Sequence, residues 1–355
     1  MALPTVRRVL KMETKRAMGE FDLIEYFFKR SGRAAERAAL VPLGIGDDCA
    51  LLQPRPGTQI ALSSDMLVEG RHFLSTVNPE ALGHKALAVN LSDLAACGAQ
   101  PLAFTLALAL PQADEAWLAP FSRGLLALAD AHGCELVGGD TTRGPLNICI
   151  TVLGEVPVVD GKSQALLRSG AQAGDDIYVS GTLGDARLAL EVFRGTVVVP
   201  ADVFTQARLH MERPTPRVAL GLALRGIATA AIDVSDGLLG DLGHILKASR
   251  VGACIELVTA TDLIANYVSS MWVTASFDSQ LSEKLCLEYV LAGGDDYELA
   301  FTAPPAMRDA VQRAGAQAGV RVTRVGQIEA AAGLRLIDAQ GARVSNTFGS
   351  FDHFA

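Results

Sequence analysis

Asp47, Asp48, Asp65, Asp93, Asp140, Asp233 and Asp236 stand in five short segments flanked by glycine or serine: Gly44-Ile45-Gly46-Asp47-Asp48, Ser63-Ser64-Asp65, Asn90-Leu91-Ser92-Asp93, Gly138-Gly139-Asp140-Thr141-Thr142 and Ile232-Asp233-Val234-Ser235-Asp236-Gly237. Two like charges about 4 Å apart repel by roughly 4 kcal/mol at an effective dielectric near 20. Carboxylates that converge in a fold therefore need a cation among them. Mg²⁺ suits such a set, because it is held by a few carboxylates together with substrate phosphates. The chemistry indicated is phosphoryl transfer. Any one segment could be a turn or a helix cap, where Asp, Ser and Gly are the usual residues. Caps do not call for the doublets Asp47-Asp48 and Asp295-Asp296 beside glycines.

Other chemistries lack their residues. Gly161-Lys162-Ser163 resembles the end of a Walker loop, but Val156 stands where that pattern needs glycine. Gly44-Ile45-Gly46 opens like a dinucleotide fingerprint, yet Cys49 takes the third glycine's place and two aspartates would face the pyrophosphate. No Gly-x-Ser-x-Gly elbow appears, so covalent catalysis has no support. His72 by itself reads as a surface or core histidine. Arg143 and Arg168 are either phosphate clamps or ordinary surface cations.

The elements that must position these acids alternate between strands and helices. Glu20 to Lys29 predicts an amphipathic helix with Phe21, Ile24 and Phe28 on one face. Strands are expected at Ala50–Leu52 and Ile60–Leu62, the second delivering Ser63-Ser64-Asp65. Pro79–Cys97 predicts a helix on which Ala86, Asn90, Asp93 and Cys97 share a face. Small residues there would let another backbone approach Asp93. Leu102–Leu110 is a strand, Trp117–His132 a helix with Pro120 in its first turn, Cys134–Val137 a strand opening into Gly138-Gly139-Asp140, and Asn147–Val156 a strand. A second mixed set follows: strands at Asp176–Val179, Thr229–Ile232, Tyr297–Thr302 and Val322–Ile328, and helices at Leu183–Phe193, Asp202–Glu212, Arg217–Arg225, after Gly237 (ending before Gly252) and at Pro305–Ala318. Most acidic motifs thus follow an apolar strand or open a helix. The fold class is α/β (or α+β). Turn residues around Asp160-Gly161 and Ser169-Gly170 place a domain boundary near 160–170, giving domains over 19–160 and 161–355 after a basic extension, 1–18, expected to be disordered.

The whole chain agrees. Its 355 residues suit two domains, and 50% hydrophobic content with 20% charged residues is that of a well-buried protein. A formal charge of −8 argues against nucleic-acid binding. The cysteines, Cys49, Cys97, Cys134, Cys149, Cys254 and Cys286, form no C-x-x-C pair, so a zinc site is not expected and a reducing compartment is. No apolar run reaches the roughly 18–20 residues of a membrane span. The basic N-terminus lacks a secretory stretch, and the cytoplasm is the expected location.

In this order and spelling the motifs closely resemble the thiamine-monophosphate kinase family, within the AIR-synthase-like (PurM-like) superfamily. The residues that carry it are Leu43 to Ala50, Asn90 to Ala96, Gly138 to Gly144, Ile232 to Gly237 and Gly293-Gly294-Asp295-Asp296-Tyr297-Glu298. It runs from Gly19-Glu20-Phe21 to Phe351-Asp352-His353-Phe354. The resemblance implies a two-domain fold and a homodimer whose N-terminal sheets pair into a barrel. It implies ATP and thiamine phosphate as substrates, thiamine diphosphate as product, and several Mg²⁺ ions. It places Asp48, Ser63, Ser64, Asp65, Asp93, Asp140, Asp233 and Asp236 at metal-ligand positions, some through water, with Asp47 beside them. Gly139, Asp140, Arg168 and Ser235 fall at nucleotide contacts, and His72, Asp295 and Phe351 where thiamine phosphate is held.

Three positions depart from the family's pattern. Asp295 stands in place of glutamate, Phe351 in place of tyrosine, and residues 1–17 precede the usual start, which suggests alternative initiation at Met18. Competing readings are a relative of the AIR-synthetase or selenophosphate-synthetase type and a non-catalytic nucleotide- or thiamine-binding protein. The selenophosphate reaction needs a reactive cysteine near the N-terminus, and none precedes Cys49.

Overall fold

The computed structural model describes residues 19–29, 35–260, 263 and 279–349. The basic extension, Phe351 and most of the 261–284 segment lie outside the described residues.

The first sheet contains β1 (Thr58–Val68), β2 (Gln100–Leu110), β3 (Glu135–Arg143), β4 (Asn147–Val159) and the short β5 (Lys162–Ser163). Its order is β1-β4-β2-β3, with β5 paired to β4. Strands β2 and β3 run parallel and the other pairs antiparallel. One face is covered by α3 (Pro79–Ala96) and α4 (Glu115–His132), which follow two short helices, α1 (Glu20–Leu23) and α2 (Ala35–Leu40). On the other face Ile60, Leu62 and Met66, alternate residues of β1, are exposed, Leu62 by 65%.

Helix α3 is the spine of the molecule. Asn78 caps it by accepting a hydrogen bond from the Glu80 amide at 2.8 Å, and Pro79 occupies the first turn, where a missing N–H costs nothing. Its buried residues lie on every side rather than along one stripe, the mark of a helix enclosed by protein. Neighbouring helices come close through glycine. A Cβ on Gly124 of α4 would stand 1.9 Å from the Glu80 carbonyl oxygen, and one on Gly221 of α7 (Val218–Ala223) 2.0 Å from that of Ala95.

The second sheet contains β6 (Asp176–Ser180), β7 (Ala230–Val234), β8 (Gly252–Glu256), β9 (Glu298–Ala303), β10 (Val322–Glu329), β11 (Gly333–Ile337) and β12 (Arg343–Val344), in the order β12-β11-β8-β10-β6-β9-β7. Every residue of β6, β7 and β9 is buried, as expected of strands covered on both faces. Around it lie α5 (Asp185–Phe193), α6 (Ala201–Glu212), α8 (Leu238–Ser249), α9 (Leu257–Ala260), α10 (Ser279–Ala292) and α11 (Arg308–Ala318). Buried Asp176 is held by Arg308 at 2.6 Å and Arg324 at 2.7 Å. This is a two-domain, mixed α/β architecture.

Several local expectations are corrected. The first helix passes at Ile24–Phe28 into a wider π-helical turn, which buries Leu23, Phe27 and Phe28 and leaves Phe21 exposed. Residues 50–52 form one isolated bridge, Leu43 to Leu51, rather than a strand. Helix α4 starts at Glu115, capped by Asp114, so Pro120 falls beyond its first turn. Strand β3 continues through both glycines to Arg143, because its backbone hydrogen bonds go to β2. Helix α8 ends on Arg250 in the left-handed conformation (φ 59°), while Gly252 opens β8.

Candidate active site between the two sheets

The Ser63-Ser64-Asp65 segment lies inside β1 rather than after it, and the period of two separates its members. Ser63 and Asp65 turn toward α3: the Ser63 hydroxyl donates to Asp93 Oδ2, and the Asp65 amide donates to Asn90 Oδ1 at 3.1 Å. Ser64 takes the other face, with its hydroxyl 2.9 Å from Thr151 Oγ1 on β4. From the second sheet, β7 carries Asp233 as its penultimate residue, which accepts a hydrogen bond from Ser92 Oγ of α3 at 2.9 Å. The next turn is fixed by Asp241 of α8, which accepts the amides of Ser235 and Asp236, both at 3.0 Å.

Electrostatics shows which acids meet. Burial pushes the Asp65 carboxyl up to about 6, aided by the charges of Asp93 and Asp236. Burial raises Asp93 as well, against the Ser63 hydrogen bond and the positive charge of Arg168, which both favour its ionised form. Asp233 is pushed to about 8, first by burial and then by Asp93, with Asp241 and Asp65 adding to it. Asp65, Asp93, Asp233 and Asp236 therefore form one interdomain cluster with Ser63 and Arg168 beside it. Asp65 and Asp233, each held toward the protonated form by burial and by neighbouring carboxylates, mark a site suited to a counter-charge.

The oxygen donors of this cluster are of the kind that suits a hard divalent cation. Among the described residues no group of three or more His, Cys, Asp or Glu side chains closes around a single point as a ready-made cage.

Other predicted residues fall elsewhere in the chain's own fold. Asp48 is exposed in the turn after Gly46, where its amide donates to Asp47 Oδ1 at 2.8 Å. Asp140 pairs with Ala107 on β3, an edge strand at the opposite side of the sheet from β1, and is exposed. Gly139 shares a hydrogen-bonded row with Asp65 through Leu106 and Ile150, three strands away, about 14 Å at ordinary strand spacing. Its φ of 145° and a virtual Cβ only 1.8 Å from the Leu106 carbonyl oxygen explain why glycine is required there. His72 is half-buried just beyond β1, and its Nδ1 accepts the Val68 amide at 3.0 Å, which leaves Nε2 as the protonated nitrogen. Ser235 contributes its carbonyl to the Asp295 amide at 2.7 Å.

Two residues of the site escape sequence reasoning. Lys85, buried within α3, donates to Asp295 Oδ2 at 2.6 Å. Ser92 was noticed only as part of a motif. The helical period could have flagged both, since Lys85, Ser92 and Asp93 fall on adjacent faces of one helix, but it cannot say that the second domain packs there. A separate cavity of about 460 Å³, lined by Arg55, His132, Glu155 and Arg225 among others, contains none of the predicted residues.

Comparison with known proteins places this arrangement. Residues 46–156 match the domain family "AIR synthase related protein, N-terminal domain", and 172–339 match its C-terminal counterpart. These two domains define the class of fold built here from two sheets and α3. A thiamine-monophosphate kinase of Salmonella typhimurium is 44% identical over 344 residues, spanning 96% of this chain and 99% of the relative. The solved thiamine-monophosphate kinase of Stenotrophomonas maltophilia superposes with a TM-score of 0.76 at 44% identity, covering 86% of this chain and 92% of that one. A structure described as AaThiL complexed with AMPPCP and TMP superposes at 0.70 with 28% identity, covering 85% and 89%. The chain belongs to the thiamine-monophosphate kinase family.

Proposed function

We infer that the chain catalyses transfer of the γ-phosphoryl group of ATP to thiamine phosphate, giving thiamine diphosphate and ADP. The observation that carries this is the acid cluster shared between domains: Asp65 and Asp93 from the first, Asp233 and Asp236 from the second. The relative solved with AMPPCP, an ATP analogue, and TMP supports the substrate pair.

The chemistry asks little of proton transfer. A phosphate monoester has a second pKa of about 6, so the attacking oxygen is largely ionised near neutrality and needs no base. The difficulty is bringing two polyanions into line. Mg²⁺, when bound, lowers that repulsion and stabilises the charge of a loose transition state. Asp48, Ser63, Ser64, Asp65, Asp93, Asp140, Asp233 and Asp236 are the residues proposed to hold it, Asp140 doing so beside the nucleotide. Gly139, Arg168 and Ser235 are proposed nucleotide contacts; His72, Asp295 and Phe351 are proposed for thiamine phosphate. Arg168 already acts on Asp93 and so supplies positive charge where the phosphates would lie.

The reading includes a homodimer acting in the cytoplasm. The exposed apolar residues Ile60, Leu62 and Met66 favour a second sheet over that face of β1. Closing the sheet into a barrel with another copy would also remove β3 as an edge and put Asp140 beside a partner strand. No helix among the described residues is long and apolar enough to cross a membrane. The domain limits of 19–160 and 161–355 belong to the same proposal.

The direct test incubates the purified protein with ATP, Mg²⁺ and thiamine phosphate and separates the products. Stoichiometric ADP and thiamine diphosphate are expected. Neither product would leave a binding protein, and ADP formed only with another acceptor would indicate a different reaction of the superfold.

A further inference from the structure

Lys85 is 2% exposed in the middle of α3, a position where an ammonium group persists only with a partner. That partner is Asp295 of the other domain, itself more than a third exposed. The Tyr297 hydroxyl lies near the same carboxylate, whose charge adds to burial in keeping the phenol protonated. The turn that carries Asp295 is held with unusual firmness. Gly294, Asp295 and Tyr297 all have positive φ, 70°, 66° and 53°. Aspartate enters that region more readily than most residues, but for a bulky tyrosine it is strained, and such strain survives where the surroundings over-determine it. Here the Asp295 amide donates to Ser235 O at 2.7 Å and the Tyr297 amide to Val234 O at 2.9 Å. The side chain between them, Asp296, accepts the Gly184 amide.

We propose that Lys85 is a positioning residue: it fixes the Asp295 carboxylate, so that thiamine phosphate meets an oriented hydrogen-bond acceptor whose charge is already matched. The lysine stands on the helix that also carries Ser92 and Asp93, so the same rigid element aligns the acceptor for one substrate with the acid cluster proposed for the other. An unpaired Asp295 would rotate freely and present bare charge. Pairing it selects for a ligand that offers N–H donors over one that offers positive charge alone. The inference rests on the reading of Asp295 as a thiamine-phosphate contact.

The test compares Lys85→Met, Lys85→Gln, Asp295→Asn and the double variant Lys85→Met/Asp295→Asn by steady-state kinetics with each substrate varied. Lys85→Met is expected to raise KM for thiamine phosphate about tenfold, the loss carried by one charge-assisted hydrogen bond. KM for ATP stays within about twofold, and the double variant is no worse than Asp295→Asn, because both remove one interaction. A purely structural lysine would lower thermal stability and leave this split absent. If Asp295→Asn raises KM for thiamine phosphate and Lys85→Met does not, the inference fails while the function stands. If Asp295→Asn itself changes nothing, the reading of Asp295 fails and Lys85 loses its role with it. Should Lys85→Met not fold, Lys85→Gln decides: it removes the charge and shortens the reach to Asp295 while keeping a polar side chain, is expected to raise the same KM, and overturns the proposal if it does not.

Discussion

The hydroxyl of Ser92 reaches from the central helix of the first domain to Asp233 near the end of a strand in the second, 2.9 Å away. This contact ties the acid cluster to the domain interface. Removing it leaves a buried carboxyl without its donor, a loss of about 1–3 kcal/mol. Ser92→Ala is expected to lower unfolding free energy by that amount in urea titrations and to shift Mg²⁺ activation to higher concentration. An unchanged denaturation midpoint would contradict the coupling.

Asp93→Asn and Asp140→Asn are expected to reduce turnover by roughly a hundredfold or more, the scale of losing one element of transition-state electrostatics. Circular dichroism should remain that of the parent. A variant that keeps its Mg²⁺-dependent rate would remove that residue from the site.

The cluster also makes the ligand-free protein less stable than it could be, since burial and its neighbours both oppose ionised Asp65. Asp65→Asn should therefore raise the melting temperature without ligands. It should also erase the gain produced by Mg²⁺ with AMPPCP, which for the parent amounts to about 2.7 kcal/mol at a hundred times the dissociation constant. Differential scanning fluorimetry reads both effects. A variant less stable without ligand and still stabilised by it would refute the argument.

Gly139→Ala tests backbone rather than charge. Its added methyl would collide with the Leu106 carbonyl, so β3 must part from β2 and carry Asp140 with it. Loss of activity together with a drop of several degrees in melting temperature is expected. Full activity would mean that the strand pairing tolerates the displacement.

Asp185 provides a pH test remote from the acids of the cluster. Both its oxygens are buried without a hydrogen-bond partner, His210 Nδ1 stands 3.6 Å away, and burial pushes the carboxyl up to about 7. The folded state thus holds a proton that the unfolded chain, with the ordinary value of 3.8, releases. This group's contribution is complete below pH 3.8 and is lost as pH rises toward 7. Asp185→Asn should flatten that part of the profile, gaining stability over the parent at pH 7.5 but not at pH 4.5. Parallel profiles would dismiss the assignment.

Much of the site could be read directly. Pro79–Ala96 is plain as a helix because its cap, proline and small residues are local signals, and the acidic motifs stand out by composition alone. The boundaries of β1 and β3 were harder. Serine, aspartate and glycine are poor strand formers, and both strands form because neighbours supply hydrogen bonds along the full length of the segment. The positive φ of Asp295 and Tyr297 has no local signature, since Ser235 and Val234, some sixty residues earlier, hold the turn in place.

The sequence by itself determined which acidic, basic and hydroxyl residues this protein can bring together, and the order in which the chain presents them. Only the tertiary structure decided which of them meet. Alternation along β1 sends Ser63 and Asp65 toward Asp93 and turns Ser64 away, and the sheet order leaves Asp140 on the far edge. It also gave buried Lys85 its role, because the partner of an enclosed charge is set by which surfaces pack together in space, and separation along the chain carries no record of that.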